Sequence, residues 1–196
     1  MKTKPLTFLL ALTFLFLFSG SVFADDYQDG LDAIERKDYK EAYRLILPLA
    51  EKGNAEAQSM LGVMLMYSIK DGVTQDYKEA FKWNKLAAEQ GIADAQGMLG
   101  LMYGNGYGVS QDYKESVKWY RLSAEQGNAS AQYNMGFMHD LGKGVRQDYK
   151  ESVKWWRLAA EQGFAKATLI GFDVCHGTRS DQRLCISTYV VEHLWY

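Results

Sequence analysis

The chain has 196 residues, with 22 basic and 24 acidic side chains, a formal charge of −2, 14% aromatic residues and only two prolines. That composition excludes an intrinsically disordered polymer, which lacks the apolar residues for a core. It also excludes a protein drawn to nucleic acid by bulk positive charge.

Residues 1–24 read as a separate segment. Lys2 and Lys4 precede an apolar run from Leu6 to Phe18, and the small-residue end Val22-Phe23-Ala24 follows. This is the pattern of a secretory signal peptide cleaved before Asp25. The run covers 13 residues, short of the roughly 20 that a membrane-spanning helix needs. The expected mature protein is periplasmic or secreted, makes no stable membrane insertion and carries a charge of −4 over 172 residues.

Residues 25–52 read as an opening helix pair, with Asp29-Gly30-Leu31-Asp32-Ala33 in one helix and Asp38/Glu41 capping the other. Pro48 is expected to bend or shorten that second helix, because proline removes one helical hydrogen bond.

From Gly53 the chain writes nearly the same unit three times, over residues 53–90, 91–126 and 127–162. Shared positions include Ala57-Gln58, Ala95-Gln96 and Ala131-Gln132, then Gly62, Gly100 and Gly136, and a closing Ala-Glu-Gln-Gly. Self-similarity at this period signals stacked units, each covering the apolar face of its neighbour. In each unit a first helix is predicted, over Asn54 to Tyr67, Ile92 to Tyr103 and Asn128 to His139. Glycine inside a helix costs about 1 kcal/mol relative to alanine, so its repetition at Gly62, Gly100 and Gly136 predicts a neighbour too close for a Cβ.

A second helix is predicted over Asp76 to Gln90, Asp112 to Gln126 and Asp148 to Gln162. Asp76/Glu79, Asp112/Glu115 and Asp148/Glu151 read as capping boxes, in which the Asp accepts from a first-turn amide and the Glu reaches back to the cap amide. Gly91, Gly127 and Gly163 read as left-handed stops. Tyr77, Ala80, Phe81, Trp83, Leu86, Ala87 and Ala88 recur at helical spacing and predict the buried face. Trp83, Trp119 and Trp155 are expected in the repeat core. Residues 163–196 read as a degenerate fourth repeat and C-terminal cap. Within them Cys175 and Cys185 are expected to form a disulfide in an exported chain. Zinc binding with His176 and His193 is the weaker alternative, since no CxxC pair is present.

The string that these units share, fitted almost position for position by Ala95 to Gly127, resembles the Sel1-like repeat. The resemblance implies an all-α, right-handed α-solenoid of stacked antiparallel helix pairs similar to tetratricopeptide proteins. It also implies an adaptor that holds another protein or peptide and needs no cofactor. The opening pair looks more like a tetratricopeptide unit. Some secreted relatives are rich in cysteine and are said to bind penicillin; this chain departs from them, having no cysteine within the three repeats. It departs again at His139, where the family has Tyr.

By analogy with tetratricopeptide proteins, the concave surface carries Glu56, Ser59, Val63 and Met66, then Asp94, Gly97, Leu101 and Gly104, then Ser130, Tyr133, Phe137 and Asp140. Such a stripe suits a peptide with apolar anchors and basic flanks. Phe137→Ala and Tyr133→Ala are expected to weaken partner capture with little change in melting temperature. Lys78/Lys82/Lys85, Lys114/Lys118/Arg121 and Lys150/Lys154/Arg157 share a face at helical spacing. They read as a solvated surface, because Glu79, Glu115 and Glu151 lie beside them. HExxH, GxSxG and SxxK are missing, so a binding module is expected rather than an enzyme. The alternative is a secreted hydrolase or penicillin-binding activity, as attributed to the cysteine-rich relatives.

Overall fold

The computed structural model describes residues 26–67 and 73–164; the expected leader, Cys175, Cys185 and the tail beyond residue 164 lie outside them. The described residues form eight helices: α1 (26–35), α2 (Tyr39–Glu51), α3 (Ala55–Met66), α4 (Tyr77–Glu89), α5 (Ala93–Asn105), α6 (Tyr113–Glu125), α7 (Ala129–Leu141) and α8 (Tyr149–Glu161). From α2 onward each helix packs on the next, and the first helices α3, α5 and α7 also touch across the units. The result is an all-α repeat fold, an array of helix pairs whose buried residues fall into three neighbouring apolar clusters.

The caps explain why the second helices start where they do. Asp76, Asp112 and Asp148 each accept from two amides of the first turn, at 2.8 to 3.2 Å. The reciprocal arm of the expected capping box does not form. Each cap amide instead donates to the preceding helix, to the carbonyls of Leu65, Tyr103 and His139 at 3.0, 2.9 and 2.9 Å. With that amide occupied, Glu79, Glu115 and Glu151 turn to Lys82, Lys118 and Lys154 one helical turn on. One cap thus starts a helix and ties it to its partner.

Two boundaries differ from expectation. Helices α5 and α7 run two residues past Tyr103 and His139, because Gly106 and Gly142, at φ 75° and 63°, supply the left-handed stop. Pro48 does not shorten α2, whose 13 residues equal those of α4, α6 and α8. It lies in the last turn, and the amides of Lys52 and Gly53 beyond it still reach the carbonyls of Pro48 and Ala50.

The close neighbour predicted at the mid-helix glycines is a side chain of the paired helix. A Cβ on Gly62 would lie 2.5 Å from Asn84 Nδ2, on Gly100 2.5 Å from Tyr120 Cδ1, and on Gly136 2.2 Å from Trp156 Nε1. These three residues, only 0, 3 and 4% exposed, are buried more deeply than the tryptophans one position earlier. Trp83, Trp119 and Trp155 are half-buried and pack on the edge of the core. Leu86, expected on the buried face, and its counterparts Leu122 and Leu158 are exposed, because the buried face is narrower than the apolar pattern suggests.

Glutamines join the units along one edge. Gln58, Gln96 and Gln132 are buried, and each donates to a carbonyl at the end of the preceding second helix, Ala50, Ala88 and Ala124, at 3.0 to 3.2 Å. The oxygen of each accepts from Gln90, Gln126 or Gln162, the capping residue of its own unit's second helix, at 2.7 Å. A buried amide left unpaired costs about 1–3 kcal/mol, so this relay fixes the stacking register. A second joint lies at Gly108 and Gly144, where a Cβ would meet the carbonyl oxygens of Tyr77 and Tyr113 in the previous unit at 2.0 and 2.1 Å.

Candidate functional site: a groove across the first helices

Between α3, α5 and α7 runs a groove of about 490 Å³. Of the stripe expected from the sequence, Glu56, Ser59 and Val63 on α3, Asp94, Gly97 and Leu101 on α5, and Ser130 on α7 line it. The remaining stripe residues lie elsewhere. Met66 is buried, and Gly104 sits above Ser116, whose Oγ would lie 3.0 Å from an added Cβ. Asp140 is half-buried off the groove.

Tyr133 and Phe137 belong to an aromatic cluster. Their rings meet edge-on at 4.9 Å, Phe137 meets Trp156 at 5.3 Å, and Tyr133 meets Phe164 at 5.2 Å. Trp156 also donates through Nε1 to the Tyr133 carbonyl at 3.1 Å. This attraction turns that edge of α7 toward α8, so the groove wall there is Ser130, Ala131 and Asn134.

Several lining residues escaped the sequence stripe. Tyr27 comes from the opening pair, Met60 and Met98 lie one position beyond Ser59 and Gly97, and Tyr120 rises from α6. Only the spacing of the two methionines was available as a signal. Tyr120 reaches the floor because Gly100 leaves room for its ring.

The charge of the groove is one-sided. Glu56 and Asp94 line it, and no lysine or arginine does among the described residues. Asp94 is held by Asn128, whose Nδ2 donates to Oδ1 at 2.7 Å across the unit boundary. Burial, and then the Glu56 carboxylate, raise the Tyr27 phenol above its ordinary range. Burial alone pushes the Tyr120 phenol well above its ordinary range, so both phenols keep their protons at neutral pH.

On the opposite side of the units, Lys82, Lys118 and Lys154 pair with Glu79, Glu115 and Glu151, and Lys85 lies 3.9 Å from Glu89. Exposed pairs at this spacing contribute little to stability, and four of the ridge's nine cations are paired in this way. His139, at the place of Tyr103 in the previous unit, is 9% exposed, and its Nδ1 has no partner among the described residues. Burial and then Arg121 lower its pKa, against the pull of Glu151 and Asp148. Among the described residues no group of three or more His, Cys, Asp or Glu side chains is placed to hold a metal ion, and no helix is long and apolar enough to cross a membrane.

Stacked helix pairs with a groove over their first helices define a helical repeat scaffold. The Sel1 repeat family model matches residues 24–54, 55–92, 93–128 and 129–164, and the chain belongs to that family. The match includes the opening pair. Similar solved structures include two that share 35% of their residues with this chain. A protective antigen present in uropathogenic Escherichia coli strains, displaying an SLR fold, is 35% identical with a TM-score of 0.74, and the alignment covers 87% of this chain and 37% of the antigen. A Sel1 repeat protein from Oxalobacter formigenes is 35% identical with a TM-score of 0.71, over 85% of this chain and 66% of that one. The chain therefore spans under two thirds of the length of either. No curated protein matches it. Sel1 repeats generally mediate protein–protein interaction and are typically non-catalytic.

Proposed function

We propose that the protein is an exported adaptor that holds a peptide segment of a partner protein in the groove across α3, α5 and α7. Val63, Leu101, Met60 and Met98 offer the apolar floor, and Glu56 and Asp94 select a segment with basic residues beside its apolar anchors. The observation that carries this reading is the pairing of that floor with two carboxylates from successive units and, among the described residues, no cation in the lining. No cofactor is required, and nucleic acid is disfavoured by the sign of the charge.

The test is capture from envelope extract by the mature protein and by Val63→Arg and Leu101→Arg, each of which puts a long cation into the groove. Partners retained by the intact protein and lost from both folded variants support the groove. Equal retention by all three sinks it. Cell fractionation checks the export: protein found only in the cytosol, with its first 24 residues intact, removes that part of the reading.

A further inference from the structure

Asn84, Tyr120 and Trp156 occupy one position of the repeat, but they differ in how their polar atoms are satisfied. Trp156 donates to the Tyr133 carbonyl at 3.1 Å, and Asn84 donates to the Ala80 carbonyl at 2.9 Å while its Oδ1 is buried without a partner among the described residues. The Tyr120 hydroxyl has no hydrogen-bond partner among the described residues, although the residue is only 3% exposed. What remains uncovered of it lines the groove. On α5 the groove wall also lacks a side chain at Gly97, one turn before the Gly100 notch that seats the Tyr120 ring. The Tyr120 hydroxyl is not among the buried polar atoms shut off from water, so on the groove side it is open to solvent and free to donate to an acceptor that a ligand brings.

The surrounding charge decides which acceptor. A ligand carboxylate or phosphate would be repelled by Glu56 and Asp94, whereas a neutral carbonyl would not. An extended peptide presents such carbonyls along its length, and its basic side chains meet the two carboxylates at the rim. We infer that the Tyr120 hydroxyl is a specificity-determining donor of the groove, bonding a main-chain carbonyl of an extended, basic and apolar peptide. This rests on the groove being the binding surface, and it adds the hydrogen bond that fixes the peptide there.

The experiment uses the mature protein and two fluorescent nine-residue peptides, one alternating Lys with Leu and one alternating Glu with Leu. Binding is read by anisotropy, and thermal melts are recorded for wild type and Tyr120→Phe, which keeps the ring in the Gly100 notch and removes only the hydroxyl. The Lys-Leu peptide is expected to bind wild type at least tenfold more tightly than the Glu-Leu peptide. Tyr120→Phe is expected to weaken Lys-Leu binding about five- to tenfold, the worth of one hydrogen bond, with the melting temperature unchanged.

Weaker binding at unchanged stability is the signature of a donor left free for a ligand. Unchanged Lys-Leu affinity in Tyr120→Phe overturns the assignment and leaves the groove standing. A lowered melting temperature overturns it too, by showing that the hydroxyl already has a structural role. Equal binding of the two peptides removes the charge argument, and no binding of the Lys-Leu peptide to wild type removes the groove as well.

Discussion

Gly136→Ala places a methyl group 2.2 Å from Trp156 Nε1, 2.3 Å from Cδ1 and 2.7 Å from Cε2. The indole is 4% exposed and its N–H is committed to the Tyr133 carbonyl, so the ring cannot yield without losing that bond. Overpacking of this kind costs about 1–3 kcal/mol. Loss of the hydrogen bond adds about 1–2 kcal/mol, and alanine's better helix propensity returns about 1 kcal/mol. The net expectation is a loss of about 1–4 kcal/mol, or roughly 2–16 °C in Tm for a domain of this size. The assay is a double-mutant cycle by thermal and urea denaturation, with Trp156→Leu as the partner change. In that background Gly136→Ala should be neutral or stabilising by up to about 1 kcal/mol, because the clash is gone and the propensity gain remains. A Gly136→Ala protein as stable as wild type, or one whose loss is the same in both backgrounds, refutes the notch.

Phe137→Ala is expected to lower Tm, contrary to the sequence expectation, because Phe137 packs edge-on against Trp156 and Tyr133. A loss of about 1–3 kcal/mol by urea unfolding is the anticipated size for a half-buried ring. Asp112→Ala removes the acceptor for the amides of Lys114 and Glu115, and a fall of about 1 kcal/mol in the same measurement is expected. The pKa of His139 lies below its ordinary 6.5, so the unfolded chain takes up the proton first as pH falls. Stability present above pH 6.5 is therefore lost as pH drops toward the folded value. His139→Tyr should reduce the fall in Tm between pH 7.5 and pH 5.5, and an identical fall in both proteins would count against this.

Local chemistry was the most legible part of the sequence. Asp76, Asp112 and Asp148 mark helix starts because their partners are two and three residues away, within reach of any sequence reading. The glycines announced a close contact, but its source was hidden, because the occupant comes from the other helix and changes from Asn to Tyr to Trp. The Ala-Gln and Glu-Gln-Gly repeats were visible, yet the bond between Gln96 and Gln126 spans 30 residues, and spacing alone does not pair them. On α3 and α5 the first three stripe positions line the groove, while Met66 and Gly104, a turn further on, do not. On α7 only Ser130 faces the groove, since Phe137 packs on the Trp156 ring and Tyr133 on Phe137 and Phe164. Leu86 misled because helical periodicity shows which residues share a side and not how wide the covered strip is.

The glutamine relay makes every joint chemically alike: the seam at Gly91 uses the same groups as the seam at Gly127. A chain spliced to omit residues 91–126 would present Gln132 to the Ala88 carbonyl, with Gln162 ready to complete the exchange. Reach is then adjustable in whole steps of 36 residues without new interface chemistry.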